Sequence, residues 1–203
     1  MILILGGTKS GKSSFASKRA EKREQEYPGS IVYLATARAG DSEMKERIKK
    51  HREERPSSWI TVEEPEDPAA FFFSSAAEYG GENKNYKEIS TNASTVLLDC
   101  ITLWLTNLLE PFGEKPDRDS AYRTAEIKTS ELIKNIADWE SGVNTGKEVI
   151  IVSNLVETGL ISPWPLGRIF QDIAGLTHQK LASAAEEVYL MTAGLPQQIK
   201  EPH

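Results

Sequence analysis

The stretch Ile2-Leu-Ile-Leu-Gly6-Gly-Thr-Lys-Ser-Gly11-Lys12-Ser13 decides the fold. A short aliphatic run that stops on two glycines reads as a buried strand, and the charged, alanine-containing segment 12–27 that follows reads as a helix. At their junction Gly6, Gly11, Lys12 and Ser13 complete the pattern Gly-x4-Gly-Lys-Ser/Thr. Glycines there let successive backbone N–H groups turn toward one point, the helix N-terminus adds a favourable dipole, and a lysine brings a mobile cation to the outer phosphates. The loop residues Gly6, Gly7, Thr8, Lys9, Ser10, Gly11, Lys12 and Ser13 are therefore expected to hold a purine nucleoside triphosphate, with the Ser13 hydroxyl on magnesium. The competing explanation, a glycine-rich turn with an incidental lysine, does not account for the strand before the motif and the helix after it.

Outward from this motif, aliphatic runs recur at 2–5, 31–35, 60–62, 96–99, 149–153 and 188–191, which are predicted strands. Amphipathic or charged segments at 12–27, 42–55, 68–79, 103–109, 120–140 and 166–186 are predicted helices. Alternation of the two implies crossover units and hence an α/β fold of three layers around a mainly parallel sheet. Ligands of such sheets lie at the carboxyl ends of the strands, which singles out 6–13, Thr36 to Arg38, Asp99 to Thr102, and Asn154 onward. Asp99 ends the run Thr95-Val-Leu-Leu-Asp99 and is the expected acidic partner of Ser13 on magnesium, a role that can coexist with capping the helix that follows.

Composition fits this reading. The chain has 203 residues, enough for a single domain spanning 1–203, with 39% hydrophobic and 27% charged residues distributed along its length. A net charge of −6 disfavours general attraction to nucleic acid or anionic membranes, so phosphate binding requires a local device. Cys100 is the sole cysteine, which excludes an intrachain disulfide and fits a reducing cytoplasm. No apolar run is long enough to span a membrane. The polar stretch 80–94, rich in Gly, Asn and Lys, is expected to be a loop or an insertion. Trp104, Trp139 and Trp164 are candidates for the core or for flat binding surfaces.

A second candidate centre lies in Arg47-Ile-Lys-Lys-His51-Arg-Glu-Glu-Arg55-Pro56. Such a charged run is commonly a solvated face, but Met44, Ile48 and His51 follow i, i+4, i+7 spacing, so His51 is expected to face inward or into a cleft. Arg47 and Arg55 would stand one turn to either side, suited to a polyphosphate. Neighbouring cations favour a neutral imidazole, which can attack phosphorus.

These residues together resemble the bifunctional adenosylcobinamide kinase/adenosylcobinamide-phosphate guanylyltransferases of cobalamin biosynthesis. The resemblance runs in order through the phosphate loop, Tyr33-Leu-Ala-Thr-Ala37, Asp41-Ser-Glu-Met44, the His51 segment and Trp59-Ile-Thr-Val-Glu63. It continues through Leu97-Leu-Asp-Cys-Ile-Thr102, Asn107-Leu-Leu109, Val152-Ser-Asn154, Phe170-Gln-Asp-Ile-Ala-Gly175 and Ala184-Ala-Glu-Glu-Val-Tyr189. It implies a RecA-like P-loop NTPase fold, ATP and GTP as substrates with Mg2+, a corrinoid acceptor, and a homotrimer or larger assembly of trimers. It implies phosphorylation of adenosylcobinamide and transfer of GMP to its phosphate through a covalent intermediate on His51. It also implies nucleotide contacts from Thr36, Ala37 and Arg38, from Arg52, Glu53, Glu54 and Arg55, and from Glu63 and Asp99. A glutamate after a short strand, as Glu63 is, has the acceptor character that guanine N–H donors need.

The chain departs from the family pattern in two places. Where Asn154 is usually followed by Glu-Val-Gly, the sequence reads Leu155-Val-Glu157-Thr-Gly159, and where Asn-Gln is usual it reads His178-Gln179. Alternatives to the bifunctional reading are a guanylyltransferase without the kinase half, a kinase of another small alcohol, and a nucleotide-gated switch. The last would leave His51 without a purpose.

Overall fold

The computed structural model describes residues 1–27, 29–53, 55–73, 86–113, 115–142 and 146–202. Strands β1 (Ile2–Gly6), β2 (Ser30–Ala35), β3 (Ile60–Glu63), β4 (Ala93–Asp99), β5 (Glu148–Asn154), β6 (Glu187–Thr192) and β7 (Leu195–Lys200) form one sheet in the order β3-β2-β4-β5-β1-β6-β7. Every pairing is parallel except that of β6 with β7. The interior strand β1 is buried along its whole length because both faces of a parallel sheet are covered by helices, which is why it is an unbroken aliphatic run rather than an alternating one. The strand β5 lies between β1 and β4, in the RecA-like arrangement that the resemblance implies.

Helix α1 (Lys12–Glu26) covers one face, where Ala16 and Ala20 let it approach Ile2, Ile4, Leu97 and Ile150 closely. The opposite face carries α3 (Pro68–Phe72), α5 (Ile101–Leu109), α6 (Arg118–Glu140) and α7 (Pro165–Ala184) over Leu3, Leu5, Leu98 and Ile151. In α6 the buried residues Ala121, Ala125, Thr129, Leu132, Ile136 and Trp139 fall three or four apart, so one stripe of the helix meets the core. Full burial of Leu132 or Ile136 contributes roughly 2 kcal/mol each.

Helix α2 (Ser42–Glu53) and helix α4 (Tyr86–Asn92) complete the described elements, with a 3-10 turn at Glu110–Phe112. The expected loop at 80–94 is corrected in its second half. Residues 86–92 are helical and Ala93 already opens β4, because Ile89 packs on the core and Ser90 is buried beneath Trp139, whose Nε1 donates to the Ser90 carbonyl at 2.9 Å. Residues 80–85, like the second half of the predicted helix 68–79, lie outside the described residues. Strand β7 is absent from the sequence reading, since its polar Gln197-Gln198 and Pro196 resemble a loop and only pairing along the edge of β6 makes it extended. Trp104 and Trp139 are core residues, whereas Trp164 is 74% exposed.

Candidate functional site: the phosphate loop and the carboxyl edge of the sheet

The loop between β1 and α1 is shaped by glycine where no other residue fits. A Cβ on Gly6 would lie 2.6 Å from the Met191 carbonyl oxygen, and Gly11 has φ of 94°, in the left-handed region, facing Gly194 of the β6–β7 turn. That turn also braces the loop, because Gly194 N–H donates to the Ser10 carbonyl at 3.0 Å. Gly7, Thr8 and Lys9 are exposed at the loop's crest, while Ser10 and Lys12 are buried. Lys12 Nζ donates to the Gly7 carbonyl at 2.6 Å and approaches Ser10 Oγ at 3.5 Å, so its ammonium sits inside the curve of the loop. Burial lowers its pKa, opposed by the nearby Asp99 carboxylate.

Asp99 ends β4 opposite the loop. Its Oδ2 accepts from Ser13 Oγ at 3.4 Å and from Tyr33 Oη at 2.5 Å. Tyr33 is held in turn by Arg55, whose guanidinium lies 3.3 Å from the ring centroid while Nη1 donates to Thr61 Oγ1 at 3.3 Å. Burial first, then the Asp99 charge, drives the Tyr33 pKa far above its usual value, so the phenol stays a donor to the carboxylate. Tyr33 was not singled out as a site residue from the sequence; the available signal was one polar-tipped side chain in an otherwise aliphatic strand.

Beyond Asp99, Thr36 Oγ1 donates to the Cys100 carbonyl at 2.7 Å and accepts from its N–H at 2.9 Å, and Asn107 Nδ2 donates to the Thr36 carbonyl at 2.8 Å. The Thr36 side chain is thus a clamp between β2 and the start of α5. Ala37 is half-buried, and Arg38 reaches out to Glu66 at 3.0 Å and Glu110 at 2.9 Å. Asn154 Nδ2 donates to Thr102 Oγ1 at 2.9 Å, tying the ends of β5 and α5 together.

His51 departs from expectation. It is exposed, not turned inward, because α2 carries only Met44 and Ile48 as half-buried apolar residues and the stripe ends a turn before the histidine. The expected flank of two guanidinium groups is also corrected. Helix α2 ends at Glu53, ahead of a proline that disfavours helical backbone at Arg55, so Arg55 leaves the helix and packs on Tyr33 instead. Arg52 pairs with Glu63 at 2.5 Å, and Glu53 is exposed beside Lys49. Glu54 and the side chain of Arg47 lie outside the described residues.

Among the described residues no group of three or more His, Cys, Asp or Glu is arranged to hold a metal ion. The pair Ser13 and Asp99 nevertheless fits magnesium, which takes one or two protein oxygens and completes its shell with phosphate and water. One further cluster surfaces only in three dimensions: His178 Nε2 lies 2.7 Å from Ser153 Oγ and its Nδ1 lies 2.7 Å from Glu157 Oε1.

A glycine loop closing on a buried lysine, with a serine and a strand-end aspartate converging beside it on a parallel sheet, defines a P-loop nucleotide-binding protein. The chain belongs to the family described as cobinamide kinase / cobinamide phosphate guanyltransferase (CobU), whose model matches residues 2–199. It is 38% identical over 198 residues to the bifunctional adenosylcobalamin biosynthesis protein CobP of Pseudomonas aeruginosa, covering 98% of this chain and 96% of that protein. It is 33% identical over 201 residues to the bifunctional adenosylcobalamin biosynthesis protein CobU of Escherichia coli, covering 98% and 99%. A solved structure of the flagellar accessory protein FlaH from Methanocaldococcus jannaschii aligns with TM-score 0.46 at 13% identity, over 99% of this chain and 78% of that one, a likeness too distant to bear on function.

Proposed function

We propose that the chain carries both activities of its family: phosphorylation of the adenosylcobinamide hydroxyl from ATP or GTP, and transfer of GMP from GTP onto the resulting phosphate. The observation that carries this reading is the convergence of Lys12, Ser13 and Asp99 at one point on the carboxyl edge of β1 and β4. The loop N–H groups and the Lys12 ammonium bind the outer phosphates and neutralise charge on their oxygens. Ser13 and Asp99 would hold Mg2+, which supplies further positive charge at the β- and γ-phosphates.

In the first reaction the acceptor hydroxyl oxygen bonds to the γ-phosphorus and gives up its proton to solvent, the bond to the bridging oxygen breaks, and the nucleoside diphosphate leaves. In the second, a neutral His51 imidazole nitrogen bonds to the α-phosphorus of GTP and pyrophosphate leaves, giving a phosphoramidate. A phosphate oxygen of the acceptor then displaces the histidine and yields adenosylcobinamide-GDP. The exposure of His51 on α2 supports this role, since an unburied ring is open to a nucleotide carried on the loop. Glu63 would take guanine N–H donors after exchanging its Arg52 partner, and Thr36 to Arg38 with Arg52 to Arg55 would line the nucleotide. Assembly as a homotrimer or a multiple of it, in the cytoplasm, belongs to the same reading.

The test is incubation with Mg2+ and GTP labelled at the α-phosphate, followed by denaturation and peptide mass analysis. An acid-labile, alkali-stable GMP adduct on His51, absent from His51→Ala while GTP binding persists, is expected. Nucleotide binding without an adduct would overturn the covalent route, and separate assays of phosphorylation and GMP transfer distinguish a chain with one activity from one with both.

A further inference from the structure

The segment 155–164 between β5 and α7 is held in place by α7 side chains. Gln171 accepts from Ser162 N–H at 3.0 Å and donates to the carbonyls of Val156 and Leu160, both at 3.1 Å. Arg168 donates to the carbonyls of Ser162 and Pro163 at 3.1 and 2.9 Å, and Glu157 meets His178. A loop ordered by this many bonds nevertheless leaves Leu160 96%, Ile161 81% and Trp164 74% exposed. Large apolar side chains gathered on a braced loop mark a surface that something covers.

Position narrows the occupant. The segment starts where Leu155 N–H donates to the Gly6 carbonyl at 3.1 Å, so it borders the phosphate loop directly. A phosphoryl acceptor must bring its hydroxyl to the terminal phosphate on that loop, and its bulk must lie along the neighbouring edge. Beside the segment opens a cavity of about 480 Å³, with Ile161, Pro165 and Ile169 on its apolar side and Arg118, Arg168 and Asp172 on its polar side. A corrin is an apolar macrocycle fringed with primary amides, which both donate and accept. The cavity is too small for the ring and suits one edge with its amide arms.

We propose that residues 155–164, with this cavity, form the seat of the corrinoid acceptor. Leu160, Ile161 and Trp164 lie against the macrocycle, and Arg118, Arg168 and Asp172 take its amides. The assignment rests on the corrinoid reading above.

The experiment is equilibrium dialysis of cobinamide, followed by its visible absorbance, against the full chain and the variants Trp164→Ala and Leu160→Ser/Ile161→Ser. A fluorescent GTP analogue is titrated in parallel, and sedimentation velocity gives the assembly state. Cobinamide binding weakened tenfold or more in both variants, with unchanged GTP affinity and sedimentation, is the expected result, together with a raised KM for cobinamide at constant kcat. Wild-type cobinamide affinity in both variants overturns the assignment. A loss of assembly mass in the variants also overturns it, by giving the patch to a second copy of the chain. Failure of the wild-type chain itself to bind cobinamide would instead remove the corrinoid reading on which the assignment rests.

Discussion

Glu157 Oε1 lies 2.7 Å from His178 Nδ1, a contact that ties the segment after β5 to the buried stripe of α7. The carboxylate and the imidazole meet across 21 residues of sequence. With a proton on Nδ1 the imidazole donates to Glu157 Oε1 and accepts from the Ser153 hydroxyl through Nε2, while Glu157 Oε2 is buried without a partner. The chain Ser153-His178-Glu157 has the connectivity of a hydrolytic triad, yet Ser153 is fully buried and no substrate atom can reach its Oγ. Its work is to bind α7 to the end of β5.

Removing one partner should therefore cost more than removing both. His178→Ala is expected to destabilise the fold by ~3 kcal/mol, because Glu157 Oε1 would lose its partner beside an Oε2 that is buried and has none. Urea unfolding of His178→Ala, Glu157→Gln and the double variant gives the coupling energy, and strictly additive losses would show that the contact is not an energetic unit.

Lys12→Ala should weaken binding of both ATP and GTP by at least about a hundredfold, the loss of a charge-assisted contact inside a water-poor loop. Lys12→Arg should fail to restore it, since Lys12 is only 6% exposed and the curve of the loop fits an ammonium on the Gly7 carbonyl. Isothermal titration measures both, and wild-type affinity in Lys12→Ala would remove the loop from nucleotide binding.

Tyr33 links stability to alkaline pH. Its folded pKa is raised above the ordinary value of 10.0 by burial and by Asp99, so above pH 10 the unfolded chain releases a proton that the native chain retains. Its stabilising contribution is complete below that pH and is lost as pH rises further. Tyr33→Phe should cost about 1 kcal/mol at pH 8 through the lost bond to Asp99, and should lose less additional stability than wild type between pH 9 and 11. Urea midpoints across that range provide the check; identical slopes would contradict the linkage.

Cys100 should be chemically silent in the native state. Burial, then the Asp99 charge, pushes its thiol up to about 12, leaving about one part in ten thousand as thiolate at pH 8. No reaction with a disulfide reagent is expected at that pH until denaturant is added, when one thiol per chain should titrate promptly.

Much of the site was legible because its parts are local. The loop 6–13 needs only glycines, a lysine and a serine at fixed spacing between a strand and a helix, and Asp99 needs only to end an aliphatic run. The two histidines differ in burial for one reason. His178 lies on the buried stripe of α7 with Ile173, Ala174, Thr177 and Leu181, a periodicity readable in the sequence, whereas the stripe of α2 holds only Met44 and Ile48 and stops short of His51.

By itself, then, the sequence determined a parallel α/β sheet, a phosphate-binding loop at its centre and the family to which the chain belongs, since each follows from short-range pattern. Tertiary structure alone decided that Tyr33 and Arg55 brace Asp99, that β7 extends the sheet, and that Glu157 and His178 close on Ser153. Apart from the β6–β7 hairpin, these contacts join segments more than twenty residues apart. Which side chains meet there depends on strand order and helix rotation, and no local spacing encodes either.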